Sequence, residues 1–137
     1  MENAFYKQAI LCLMFAMAEA DGKFNDTELI EVITMKNVFQ EYAENDIMAL
    51  HREYQTRFQD KGFAEICNIM VRQIPQELHM ATLSLLADVA VVDFDVDMQE
   101  SSLISLAANS MNINETSVKT LLLASLSKKL LHNIGKE

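Results

Sequence analysis

Two short stretches leave few ways to fold this chain. Residues 9–18 read "AILCLMFAMA" and residues 83–92 read "LSLLADVAVV". Wound at helical pitch, each puts apolar side chains on nearly every side, and such a helix must be enclosed by other elements. Neither is a membrane span. The first run stops at Glu19 and Asp21, far short of the ~20 apolar residues that a bilayer crossing needs. The enclosing elements are expected to be helices too. The sequence is rich in Leu, Ala, Met and Glu and has no sustained Val/Thr/Tyr alternation. With three glycines and one proline in 137 residues, long elements and few turns follow.

The predicted fold class is all-α, with about seven helices in a single domain. The helices fall near residues 3–20, 26–39, 45–59, 63–74, 76–92, 98–111 and 115–132. Helical spacing puts Ile47, Leu50, Tyr54 and Phe58 on one face of the third, and Phe63, Ile66, Cys67, Met70 and Ile74 on one face of the fourth. The sixth buries Leu103, Ile104, Ala107 and Met111; the seventh uses Val118, Leu121, Leu122 and Leu126. Asn114 caps the seventh, and Ile113 with Val118 forms a hydrophobic staple around that cap.

Charge excludes some partners. The net charge is −9, which argues against nucleic acid. Acidity is uneven: residues 84–100 hold five acids and no base. Cys12 and Cys67 lie in apolar helical segments with no metal-ligand spacing, so they read as reduced core thiols. No basic region followed by a cleavable apolar stretch is seen at the N-terminus. A cytoplasmic protein without membrane insertion is expected. His51, His79 and His132 are scattered, and the chain has neither a Gly-rich phosphate loop nor a nucleophile elbow. A non-enzymatic protein is expected.

The chain also repeats itself. Residues 13–39 align with residues 85–111, pairing Leu13 with Leu85, Ala18 with Ala90, Asp21 with Asp93, Glu28 with Glu100 and Asn37 with Asn109. In each copy an apolar helix runs out at an Asp, a short polar loop follows, and a Glu comes early in the next helix. Two halves, about 3–60 and 76–132, are read from this order, linked by the helix at 63–74.

The carboxylates of these loops have two explanations. "NDTE" (25–28) and "DMQE" (97–100) each fit a capping box, with Asn25 or Asp97 as cap and Glu28 or Glu100 reaching back to it. Capping does not account for Asp21 and Asp93, whose charges meet the negative end of a helix at a cost of about 0.3–1 kcal/mol. Asp95 has no capping role and adds like charge between Asp93 and Asp97. A hard divalent cation of the Ca²⁺ or Mg²⁺ class would take several such oxygens at once. The candidate ligands are Asp21, Glu28, Asp93, Asp95, Asp97 and Glu100. The stretch is not an EF-hand, because Met98 stands where the turn glycine belongs and Ile104 where the bidentate carboxylate belongs. Asp88, inside the second apolar run, needs a partner. It either meets solvent or a neighbouring helix, or supports the acidic cluster from behind.

"AMAEADGKFNDTELIEVI" (16–33) resembles the signature of TerB-like domains, the family of the tellurite-resistance protein TerB and of an N-terminal domain in membrane-anchored DnaJ co-chaperones. "LADVAVVDFDVDMQESSLISLAANSMNI" (86–113) resembles its second copy. The resemblance implies an all-helical, internally duplicated bundle. It also implies a divalent-metal site, carried here by Asp21, Glu28, Asp93 and Glu100. Phe94 departs from Gly22 of the first copy and resists the positive φ that glycine accepts. The expected function is a metal-binding module of a bacterial stress or tellurite-resistance-like response that presents a surface to an unidentified protein partner. The alternative is a metal-free interaction scaffold with an acidic docking surface.

Overall fold

The computed structural model describes residues 5–21, 44–90 and 98–134. Among them are six α-helices and no strand: α1 (Phe5–Asp21), α2 (Glu44–Arg57), α3 (Phe63–Val71), α4 (His79–Ala90), α5 (Met98–Ser110) and α6 (Glu115–Ile134). A single 3₁₀ turn, Gln76–Leu78, leads into α4. The helix expected at 26–39 lies outside the described residues.

α1 is the centre of the packing. It touches α2, α3, α4 and α5, and from Ala9 to Ala18 every side chain is buried except Cys12, which is partly so. This is what an all-round apolar helix requires. α4 is the second hub and packs against α1, α5 and α6. Its Leu83, Leu86 and Ala87 are fully enclosed. The remaining helices are one-sided: Ile66, Cys67 and Met70 of α3, Leu103, Ile104 and Ala107 of α5, and Val118 and Leu122 of α6 face the core.

Local sequence sets the boundaries. α3 ends at Val71, before the expected residue 74, and the chain closes through turns from Gln73 N–H to Met70 O and from Ile74 N–H to Val71 O. Pro75 follows and directly precedes the 3₁₀ turn. The link between α5 and α6 is short and tightly specified. Asn112 adopts φ 59°, the Ile113 amide returns to Ala108 O at 2.9 Å, and the Asn112 amide to Asn109 O at 3.2 Å. This is a Schellman stop with asparagine in the position that glycine usually fills. Two residues later Asn114 Oδ1 accepts from the Ser117 amide at 2.9 Å, the expected N-cap of α6. Ile113 packs against the core cluster, to which the buried Val118 also belongs.

Candidate functional site

The expected carboxylates sit where the two hub helices run out in sequence. Asp21 is the last residue of α1, and α5 starts at Met98, so that Glu100 is its third residue. Both are described in backbone only. Asn25, Glu28, Asp93, Asp95 and Asp97 lie outside the described residues. Among the described residues no three His, Cys, Asp or Glu side chains converge as a metal would require.

What the described residues do bring together are two acid-centred ties between helices. The first joins α1 to α2. His51 Nε2–H donates to Glu19 Oε2 at 2.6 Å, and Gln55 Nε2–H donates to the same oxygen at 3.2 Å. No described residue bonds to Oε1. His51 is buried, whereas the Glu19 side chain remains 36% exposed. The imidazole belongs to an aromatic cluster: its centroid is 4.8 Å from that of Phe15, Phe15 is 5.7 Å from Tyr54, and Tyr54 is 5.5 Å from Phe58. Arg57 lies over the Phe58 ring at 4.9 Å. Burial, and then the Glu19 carboxylate, push the Tyr54 phenol above its ordinary pKa, so it stays protonated and able to donate.

The second tie joins α4 to α6. Ser125 Oγ–H donates to Asp88 Oδ1 at 2.6 Å, and Lys128 Nζ lies 3.3 Å from the same carboxylate. Asp88 and Ser125 are both buried. Asp88 therefore meets a neighbouring helix, one of the roles open to it in the sequence.

Sequence reading missed the first tie. Only the burial of His51 was signalled, because it is four residues beyond Ile47 and three before Tyr54, on the same helical stripe. His79, the first residue of α4, makes a smaller contact. Its Nε2–H donates to Ile74 O at 2.9 Å, which leaves the buried Nδ1 with no partner among the described residues. The thiols are free, and burial raises Cys12 to about 11 and Cys67 to about 12.

Two surfaces complete the inventory. A groove of about 400 Å³ opens between α1, α2 and α3 beside Glu19, lined also by Tyr54, Phe58 and Phe63. On α6, Leu123, Leu130 and Leu131 stand exposed. No described helix is long and apolar enough to cross a membrane.

Fold and site together define an all-helical bundle built round two enclosed helices, each followed in sequence by an acidic stretch. The chain matches the family model described as tellurite resistance protein TerB over residues 7–122, and it belongs to that family. No curated protein and no solved structure matches it.

Proposed function

We propose that this chain is a non-enzymatic, cytoplasmic module of a bacterial tellurite-resistance-like stress response that binds a divalent cation through Asp21, Glu28, Asp93, Asp95, Asp97 and Glu100. One observation carries the reading. The two helices that lead in sequence into the acidic stretches, α1 and α4, pack directly against one another at the core. In sequence, the two acidic stretches therefore follow helices that touch one another. Asp21 ends α1, where the helix dipole disfavours a carboxylate and a cation would reverse the sign of the interaction. A cation of the Ca²⁺ or Mg²⁺ class would draw the loop oxygens together and present a metal-dependent surface to a protein partner.

A second reading has its own observation. α5 begins at Met98, which puts Glu100 in its first turn and leaves Asp97 as the preceding residue in sequence, the spacing of a capping box. In that case the acids hold helix ends and the module is a metal-free scaffold with an acidic docking surface.

Thermal melting of chelator-treated protein separates the two. With Ca²⁺, Mg²⁺, Mn²⁺ or Zn²⁺, the cation reading predicts a rise in Tm beyond that given by monovalent salt at equal ionic strength. The gain should follow the binding logarithm, about 2.7 kcal/mol at a hundredfold excess over Kd. Asp93→Asn should shrink the rise more than Asp60→Asn, and Glu28→Gln and Glu100→Gln should shrink it too. Equal responses to divalent and monovalent salt mean screening alone and sink the cation reading.

A further inference from the structure

We propose that the groove between α1, α2 and α3 is a binding site for a small organic cation, an amine or amidine carried on a flat apolar body. The groove contains none of the loop carboxylates, so the inference stands apart from the divalent-cation reading.

Three observations point to this ligand class. The first is an unspent acceptor. Glu19 Oε2 takes the hydrogen bonds of both His51 and Gln55, which leaves Oε1 without a described partner on the groove wall. The carboxylate is held in place by the two donors and still faces the opening, so a cation meets a fixed charge rather than a floppy one.

The second is a phenol on the groove wall. Tyr54 lines the groove, and no described residue bonds to its Oη. A phenol oxygen placed there can accept from a ligand N–H.

The third is the shape and chemistry of the remaining wall. Phe58, Phe63, Ala16 and Ile66 give an apolar bed in a groove of a size that suits a small molecule. Lys61 also lines it, but its ammonium is engaged by Glu65 at 3.2 Å. Arg57 already lies over the Phe58 ring; aromatic faces favour a cation over an anion, and the chain's net charge of −9 raises the local concentration of cations.

The probe is benzamidine, with its neutral isostere benzamide and the anion benzoate as comparators. Binding is followed by amide NMR titration of the full chain. Benzamidine should shift the amides of Gln55, Gly62 and Phe63 saturably, and benzamide should bind about tenfold more weakly because it lacks the charge. Glu19→Gln, which still offers an oxygen to His51, should weaken benzamidine about tenfold. Tyr54→Phe should weaken it about threefold to tenfold through the lost hydroxyl.

A third variant keeps the test decisive if Glu19→Gln does not fold. Gly62 sits at φ −81°, and a Cβ built there meets nothing within 4 Å. Gly62→Phe should therefore fold, fill the mouth of the groove and abolish binding. Any of four results overturns the proposal: equal binding of benzamidine and benzamide, preference for benzoate, full binding by the Gly62→Phe protein, or shifts confined to the leucine face of α6.

Discussion

The helix pairs α1–α2 and α4–α6 occupy corresponding places in the sequence repeat, yet they are closed by different means. In the register that aligns Asp21 with Asp93, Phe15 and Ala16 of α1 stand opposite Ala87 and Asp88 of α4. The exchange of a large residue for a small one explains the rest. Phe15 fills the space towards α2 with a ring that packs on His51 and Tyr54. Ala87 leaves that space open, and α6 answers with the small, buried Ser125, close enough to hydrogen bond with Asp88. The acid of the first pair therefore sits further along α1, at the half-exposed Glu19, and meets an imidazole there. A duplicated scaffold can keep its core geometry while moving a carboxylate by about one helical turn, provided that the partner helix changes with it.

This contrast can be broken at its strongest point first. Phe15→Ala empties a fully buried ring site and should cost about 3–5 kcal/mol in denaturant unfolding. A loss below 1.5 kcal/mol, about the ceiling for a volume-conserving swap, would mean that the aromatic cluster does not hold α1 to α2. In the second pair the polar tie should matter more. Ser125→Ala leaves the buried Asp88 short of a donor and should cost about 1.5–3 kcal/mol, while Lys128→Ala, which removes an exposed ammonium, should cost less than about 1 kcal/mol. If the two losses are equal, burial does not govern this tie.

Glu19→Gln should change stability by less than about 1 kcal/mol, because the carboxylate is substantially exposed and its interaction is screened. A larger loss than that of Ser125→Ala would reverse the ranking of the two pairs. A last effect is an alkaline one, and it arises from the two cysteines, which lie in the first half of the chain and the linking helix. Burial raises the Cys67 thiol from an ordinary value of 9.0 to about 12. The unfolded chain therefore ionises first. Stability is intact below pH 9 and falls as the pH rises from about 9 towards 12. Unfolding curves across that window should show a shallower fall for Cys67→Ala than for the parent, and the Cys67 thiol should resist alkylation at pH 8 until the chain unfolds.

Most of the fold was legible because apolar periodicity is a dense signal. The all-round runs at 9–18 and 83–92 dictated the two enclosed helices, and Asn114 and Ile113 marked the start of α6 to the residue. Boundaries governed by turns were less so: α3 stops at Val71 although Ile74 continues its apolar spacing and is buried. The polar ties were legible in part. An aspartate in an apolar run announces that it has a partner, as Asp88 did, but which helix supplies that partner depends on tertiary packing that periodicity does not encode. Glu19 looked like the end of a hydrophobic run, and its bond to His51, 32 positions away, has no local signature. The acidic stretches were conspicuous for the opposite reason, since like charges crowded at helix ends violate local electrostatics.

The position of α1 has a consequence for how the molecule comes apart. This helix belongs to the first half by sequence, yet it touches α4 and α5 of the second. Neither set of helices can open without exposing the apolar girdle of α1, so the described helices are expected to unfold as one cooperative unit. The slowest amide exchange should be found from Ala9 to Ala18, at rates set by global unfolding. During synthesis α1 emerges before α4 and α5 and must wait for them before its surface is covered. That long-range closure makes folding slower than local helix formation alone would allow, and until it is complete the nascent chain carries its most adhesive segment uncovered.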